Sequence, residues 1–321
     1  MTQELLRTEG LTRHFRVGKL SGRRTLHAVD DVDLTIGRRE IVALVGESGS
    51  GKSTIARMLV RAYRPTSGEI WFEGKPLSRL RSRRSRLAYS GNVPMVFQDP
   101  YSSLNPAYRV SHGILRGINL HRADLSGTEC RAELDRVLEA VGLVPTTRSR
   151  FPFELSGGQR QRVGFAQALA LRPKLVVADE PVSMLDVSIR VGVLNLMSEL
   201  REREGVSFLY ITHDVASARY LADRVLVLYA GHLVEEGTTE EVLHRPKHPY
   251  TQLLLSAVPD PRAELGLADA GDVGEPPKVV DPKPGCRFRP RCPLAIAECA
   301  TVTPLLRELG DGRRVACHVA E

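Results

Sequence analysis

Ile41-Val42-Ala43-Leu44-Val45-Gly46-Glu47-Ser48-Gly49-Ser50-Gly51-Lys52-Ser53-Thr54 is the stretch that decides the fold. Its first five residues are an unbroken apolar run suited to a buried parallel strand. The nine that follow fit the pattern G-x-x-x-x-G-K-[ST] without mismatch. Beyond them Ile55, Met58, Leu59 and Ala62 fall at helical spacing. Strand, glycine loop and helix, in that order, make a phosphate cradle. The glycines let backbone N–H groups close around phosphate oxygens, and the helix N-terminus adds positive potential. In such a cradle Lys52 holds the β- and γ-phosphates of a nucleotide, Ser53 ligates Mg²⁺ and Thr54 reaches a phosphate through its hydroxyl.

The 321 residues are 42% hydrophobic and 26% charged, the make-up of an ordinary soluble globular protein of about two domains. No apolar run approaches the roughly 20 residues of a membrane helix. The N-terminus carries no basic-then-apolar leader, so a cytosolic protein is expected. Lys and Arg number 45 against 38 Asp and Glu, a net charge of +7 that invites a nucleic-acid or membrane-surface partner. The densest basic patch, Arg79, Arg81, Arg83, Arg84 and Arg86, has only Tyr89 beside it, whereas single-strand binders add stacking platforms to their charge. The patch reads as a solvated face that suits acidic lipid headgroups, with no nucleic acid.

The first segment predicts strands over Glu4 to Phe15 and Ala28 to Ile36, with a basic loop from Arg16 to Thr25. Glu69 to Phe72 predicts a strand entering a hairpin at Glu73-Gly74, and Pro94 to Pro100 a strand ended by Gln98-Asp99 and proline. Residues 101 to 170 read as helical, with Leu134, Val137, Leu138 and Val141 on one face, a helical insertion into an α/β core. Leu155-Ser156-Gly157-Gly158-Gln159 resembles a second anion site, because Ser156 is a good N-cap and the paired glycines admit close backbone approach. Lys174 to Ala178 is an apolar strand ending in Asp179-Glu180. Successive strand residues point to opposite sides, so Asp179 can face the Mg²⁺ beside Ser53 while Glu180 faces an attacking water. The helix of Ile189, Val193, Leu196 and Leu200 follows. A buried strand from Val206 to Thr212 then delivers His213 to the edge where ligands of open α/β sheets bind. Arg224 to Tyr229 and His232 to Glu236 form a strand pair turned by Ala230-Gly231, before a short helix from Glu240 to His244.

From about Pro259, prolines and glycines read as a linker, including Pro261, Pro276, Pro277, Pro282 and Pro284. Cys286, Cys292, Cys299 and Cys317 then crowd the last forty residues, with Cys130 apart. In a reducing cytosol such a set argues for metal over disulfides. Gaps of 6, 7 and 18 residues contain no CxxC, so neither a zinc ribbon nor a ferredoxin run is spelled out, and idle thiols remain an alternative.

The ordered set over roughly residues 1 to 255 resembles the nucleotide-binding subunit of an ATP-binding-cassette (ABC) transporter. Walker A is Gly46 to Thr54, the Q-loop Gln98, the signature Leu155 to Gln159, Walker B Leu175 to Glu180, the D-loop Ser183 to Asp186 and the switch His213. The resemblance implies a P-loop NTPase α/β core with an antiparallel β subdomain, an α-helical subdomain at about 100–170 and a Cys-rich C-terminal extension over 256–321. It implies that Phe15 stacks on adenine, that Lys52, Ser53 and Asp179 serve phosphate and Mg²⁺, and that Glu180 is the general base. Gln98 then senses Mg²⁺ and the membrane partner, His213 contacts the γ-phosphate, and Ser156, Gly157 and Gly158 contact ATP held by the opposite subunit.

A finer resemblance rests on Phe97 to Pro106, on His248-Pro249-Tyr250-Thr251 and on the cysteine segment. These look like the oligopeptide/dipeptide (and nickel) importer branch, where such cysteines are associated with a four-iron four-sulfur cluster. The implied cofactors are ATP, Mg²⁺ and that cluster. The implied partners are a second ATPase subunit, two transmembrane permeases and an extracytoplasmic peptide-binding protein, with this chain on the cytoplasmic face of the inner membrane. Gln167 and Met184 depart from the usual Arg and Ala of the family, without removing a group that hydrolysis requires. Two rivals stand against this reading: a DNA-repair ABC ATPase, for whose coiled coil the space between Gln98 and Ser156 has no room, and a non-hydrolysing ABC protein, disfavoured by Glu180 and His213.

Overall fold

The run Ile41–Val45 is fully buried and serves two cores at once: Ile41, Ala43 and Val45 belong to one, Val42 and Leu44 to the other. An unbroken apolar run is what a strand covered on both faces requires. In a computed structural model, residues 3–18, 24–99, 104–256, 279–310 and 312–321 are described. Along the chain come β1 (Glu4–Val17), β2 (Arg24–Val32), β3 (Thr35–Gly37), β4 (Ile41–Val45), α1 (Lys52–Leu59), β5 (Ser67–Phe72), β6 (Lys75–Pro76), α2 (Arg83–Asn92) and β7 (Met95–Val96). Then follow α3 (Val110–His121), α4 (Gly127–Ala140), α5 (Gly157–Leu169), β8 (Leu175–Asp179), α6 (Val187–Glu204), β9 (Ser207–Thr212), α7 (Val215–Leu221), β10 (Arg224–Tyr229) and β11 (His232–Thr238). The chain closes with α8 (Thr239–His244), α9 (Pro249–Ser256), β12 (Arg307–Leu309) and β13 (Arg313–Val315).

The larger sheet runs β12-β13-β11-β10-β4-β9-β8-β7, parallel from β10 to β7. Because β4, β7, β8 and β9 are parallel, the loops that leave them emerge on one edge, and they carry Gly46 to Gly51, Gln98, Glu180 and His213. A smaller antiparallel sheet, β2-β1-β5-β6 with β3 also on β1, covers the face of Val42 and Leu44 together with α1. Helices α3, α4 and α5 pack their Ile114, Ile118, Leu134, Val137, Leu138 and Phe165 into the core on the other face. This is the mixed α/β architecture with a β subdomain and a helical subdomain that the motifs predict.

Some boundaries differ from the sequence reading. Ala28 to Ile36 is not one strand: β2 ends at Val32 and β3 starts at Thr35, with Asp31 in the left-handed region at φ 50. Of the expected strand from Pro94 to Pro100, the described part pairs with β8 at Met95 and Val96, with Pro94 O accepting from Val177 N at 3.0 Å, and Phe97 turns out to 51% exposure. Tyr89 is no stacking platform beside the basic patch; it is 4% exposed, donates to Leu59 O and meets Phe72 edge-on. The stretch holding Pro259, Pro261, Pro276 and Pro277, and the Pro100 to Ser103 part of the Q-loop segment, lie outside the described residues. The C-terminal segment shares the main core: β13 pairs with β11, and Phe288, 1% exposed, packs edge-on against Tyr229.

Candidate active site

The loop after β4 admits glycine alone at two positions. A Cβ on Gly46 (φ 154) would lie 2.2 Å from Leu228 O, and one on Gly51 (φ 111) 2.3 Å from Ala28 O. Lys52, 5% exposed, donates from Nζ to Gly46 O at 2.7 Å and Glu47 O at 2.8 Å. Burial lowers its pKa, against the pull of Glu180, Asp179 and Glu47. A buried ammonium bonded to neutral carbonyls is a site for an anion. Ser50 Oγ is buried without a hydrogen-bond partner, and α1 starts at Gly51 with no side chain capping it. N–H groups at such an end are available to a ligand. Ser48 and Gly49 are exposed at the rim, and Thr54 sits half-buried in the first turn of α1. These features fit a nucleotide's phosphates.

Ser53 Oγ donates to Asp179 Oδ1 at 3.2 Å, across the gap between α1 and β8. Burial raises the Asp179 pKa, with the Ser53 hydrogen bond opposing it. Two oxygens side by side, one of them on a carboxylate that burial penalises, fit Mg²⁺, which takes oxygen ligands.

Glu180 turns away from this pair. Its backbone lies in the left-handed region at φ 47, a strain of about 1–3 kcal/mol for a non-glycine residue, and its N–H is fixed to Ile211 O at 2.9 Å. The turn brings the carboxylate to two other strand ends: Gln98 Nε2 donates to Glu180 Oε2 at 3.1 Å, and His213 Nδ1 lies 3.2 Å from the same oxygen. The loops after β7, β8 and β9 thus meet on one carboxylate oxygen, beside the phosphate loop.

Other expected residues lie apart from this cluster. Ser156 and Gln159 form a reciprocal capping box at the start of α5, with Gln159 N to Ser156 Oγ at 3.2 Å and Ser156 N to Gln159 Oε1 at 3.0 Å. Among the described residues no hydrogen bond joins them to Gly46 to Thr54. Gly158 has a packing reason of its own, since a Cβ there would lie 2.4 Å from Ile189 Cγ2 on α6, whereas Gly157 meets only Leu185 at 3.5 Å. Asp186 starts α6 without a side-chain cap bond, beside Met184 at 63% and Val187 at 75% exposure. Gln167 stands against α3, its Nε2 2.3 Å from where a Cβ on Gly113 would be. The Phe15 ring meets Tyr63 edge-on at 5.6 Å and carries the Arg13 guanidinium over it at 4.6 Å.

The cysteine expectation is corrected. Cys286, Cys292, Cys299 and Cys317 are free thiols. Among the described residues, the one group of three or more metal-ligating side chains with ligand atoms within 4.8 Å of one another is His14, His27 and Asp30. It offers nitrogen and oxygen and none of the thiolates that a four-iron four-sulfur cluster requires. Burial first, then neighbouring thiols, push Cys286 and Cys292 up, which favours thiol over thiolate. The arrangement of the described cysteines does not support the expected iron–sulfur cluster. Asp30 in the His14 group is also held by Arg287: against its burial, hydrogen bonds from Arg287, His14 and His27 hold the carboxyl down at about 2.

Two residues reach the phosphate loop that motif reading missed. The Glu47 N–H donates to Tyr250 Oη at 2.9 Å, and Arg291 grips the Glu47 carboxylate with Nη1 and Nη2, each at 2.8 Å. Tyr250 lies in a segment that marked the transporter branch, but nothing in a linear pattern pairs Glu47 with a residue 244 positions away.

Residues 29–183 match the ABC transporter family, and residues 234–299 match the C-terminal region of oligopeptide/dipeptide transporters. The chain is 44% identical to a Bacillus subtilis protein named "Putative oligopeptide transport ATP-binding protein YkfD", over 98% of this chain and 95% of that protein. It is 43% identical to a Brucella ovis protein named "Putative peptide import ATP-binding protein", over 98% of this chain and 97% of that one. Among solved structures it is similar to the ATP-binding cassette MJ0796, captured as a dimer in a post-hydrolysis state with ADP and Pi. The TM-score there is 0.65 at 28% identity, covering 73% of this chain and 99% of that one. With a relative of 44% identity along nearly its whole length and a phosphate loop, Walker B acid, Q-loop and switch on one sheet edge, the chain belongs to the family of ATP-binding subunits of oligopeptide/dipeptide ABC transporters.

Proposed function

We propose that this chain hydrolyses ATP to drive the inward transport of di- and oligopeptides through a pair of membrane permeases. The observation that carries the hydrolytic part is the convergence of Gln98 and His213 on Glu180 Oε2, next to the Lys52 loop and the Ser53–Asp179 pair. The peptide part rests on what its relatives are named for.

In this reading Gly46 to Thr54 bind the triphosphate, with Lys52 Nζ neutralising the β- and γ-phosphates and Ser50 and Thr54 supplying hydroxyls. Ser53 and Asp179 are the residues that would hold Mg²⁺, whose chemistry is to neutralise charge on the phosphate oxygens. Glu180 accepts the proton of the attacking water on its carboxylate. Gln98 and His213 keep that carboxylate aimed, and His213 also contacts the γ-phosphate in this reading. Phosphoryl transfer asks the protein mainly for positioning and electrostatics, which rigid strand ends supply. Phe15 takes the adenine-stacking place.

Ser156, Gly157 and Gly158 complete the site of a second subunit, with Gln159 and Asp186 at the same face. Exposed Met184 and Val187, which flank Asp186 in sequence, give that face apolar surface to bury. No helix among the described residues is long and apolar enough to cross a membrane. We place the chain at the cytoplasmic face of the membrane, under two permeases served by an extracytoplasmic peptide-binding protein. Residues 1–255 form the cassette and 256–321 the extension. The test is ATP-driven uptake of labelled di- and oligopeptides by vesicles holding the permeases, the binding protein and this subunit. Uptake that stops with Glu180→Gln is expected; peptide uptake indifferent to that substitution overturns the proposal.

A further inference from the structure

The C-terminal extension is bonded to the phosphate loop itself. Arg291 spends two N–H groups on Glu47, one on each carboxylate oxygen, and a third contact at 3.4 Å goes to Tyr229 Oη. The Arg291 and Glu47 side chains are 10% and 26% exposed, so the pair is shielded from solvent. Two parallel N–H···O bonds between a guanidinium and a carboxylate hold direction as well as distance, and low exposure spares them screening. The backbone of the same loop residue is held separately, its N–H donated to Tyr250 Oη. Behind these two contacts Tyr229, Tyr250 and Phe288 pack as one aromatic cluster, with ring centroids 4.5 to 5.5 Å apart.

A second tether runs in parallel. Arg287 donates to Ala230 O and to Asp30, and Gly231 N donates to Ser50 O at 2.8 Å, within the phosphate loop. The turn Ala230-Gly231 is thus bonded to the extension on one side and to the loop on the other. Glu47 carries a negative charge at the entrance of a site that must receive a polyanion. Left alone it opposes that ligand; held by Arg291 it is neutralised and turned aside.

We propose that Arg291 is a positioning residue for nucleotide binding: from the C-terminal extension it holds Glu47, and so the phosphate loop, in the shape and charge state that accepts ATP. The proposal rests on the reading of Gly46 to Thr54 as the triphosphate site. The hydrogen bonds of Arg291 to Glu47 and Tyr229 bear on the loop and not on Lys52, Glu180 or His213, so it acts on affinity and leaves the chemical step to Glu180.

The test uses the full chain, a fluorescent ATP analogue with Mg²⁺ for equilibrium affinity, and steady-state hydrolysis. Arg291→Met is expected to weaken nucleotide binding about tenfold, in the range of ordinary site-to-site coupling. KM rises by the same factor and kcat stays within about twofold. Arg291→Lys keeps the charge without the fork and is expected to restore part of the affinity. Tyr250→Phe removes the acceptor of the Glu47 N–H while keeping the ring packing. It is expected to weaken binding as well, and it carries the test if Arg291→Met does not fold. Unchanged affinity and KM in the Met and Phe variants, with only a lower melting temperature, overturns the proposal and leaves the extension as a prop. Lys52→Ala separates the two readings: it abolishes analogue binding if the loop is the nucleotide site, whatever Arg291 does. Analogue binding that survives Lys52→Ala overturns both.

Discussion

His213 Nδ1 lies 3.2 Å from Glu180 Oε2, joining the ends of two adjacent parallel strands through one carboxylate oxygen. Glu180 reaches that position from a left-handed backbone at φ 47, so strain and hydrogen bonding together aim it. Glu180→Gln keeps the shape and removes the proposed base. Hydrolysis is expected to fall roughly 10²–10⁴-fold, with nucleotide affinity unchanged. A nucleotide-bound dimer should then accumulate on a sizing column in ATP and Mg²⁺. Persistence of turnover, or failure of the dimer to appear, would remove Glu180 from the role of base.

Gly51→Ala tests the close approach of the loop to β2. The added methyl meets Ala28 O, backbone that cannot rotate away, at a φ of 111 that disfavours any side chain. Overpacking plus strain is expected to cost roughly 2–4 kcal/mol. Chemical denaturation reads this directly. Gly49→Ala, with open space around its Cβ, should lose clearly less.

Ser156→Ala separates a capping role from a role across a dimer. Loss of the capping box at α5 should lower stability by about 1 kcal/mol. ATP hydrolysis by the assembled transporter should fall far more than that stability loss accounts for. A proportionate small drop in both would make Ser156 a cap and nothing else.

His248 gives the fold a signed pH dependence. It is 1% exposed, burial pushes its imidazole down to about 4, and its Nδ1 accepts the Tyr250 N–H at 3.0 Å. An unfolded histidine titrates near 6.5. The folded form is therefore favoured in full above that value, and the contribution is lost as pH falls from about 6.5 towards 4, up to roughly 3 kcal/mol. His232, likewise pushed down to about 4 by burial and then by Arg287, acts in the same direction. Melting temperatures between pH 4.5 and 8 should decline on the acid side, and His248→Asn should flatten that decline. Identical slopes for both proteins would count against it.

Much of the site was legible because its parts are local. Strand, glycine loop and helix follow one another within about twenty residues, and β4, β8 and β9 announce themselves as short apolar runs because both of their faces are covered. Strand alternation assigns the adjacent acids Asp179 and Glu180 to different neighbours, and they do diverge, towards Ser53 and towards Gln98 and His213, but the cause is the left-handed turn at Glu180, one residue beyond the end of β8. In the sequence Gly158 suggests room for a ligand's approach, whereas in the fold Ile189 of α6 occupies its open side. Crowding of the cysteines argues for metal and the family resemblance implies an iron–sulfur cluster, but neither measures how far apart the sulfurs lie, and among the described residues no cysteine belongs to a metal-ligating group.

By itself the amino-acid sequence determined the phosphate loop, the parallel strands that carry it and the acids at their ends, because strand burial and loop chemistry are written in neighbouring residues. Only the tertiary structure decided that Gln98 and His213 share an oxygen of Glu180. It alone also decided that Arg291 of the extension closes on Glu47. Both depend on which strands lie side by side and on where the C-terminal segment docks. Spacing along the chain does not encode a contact between residues brought together by sheet order.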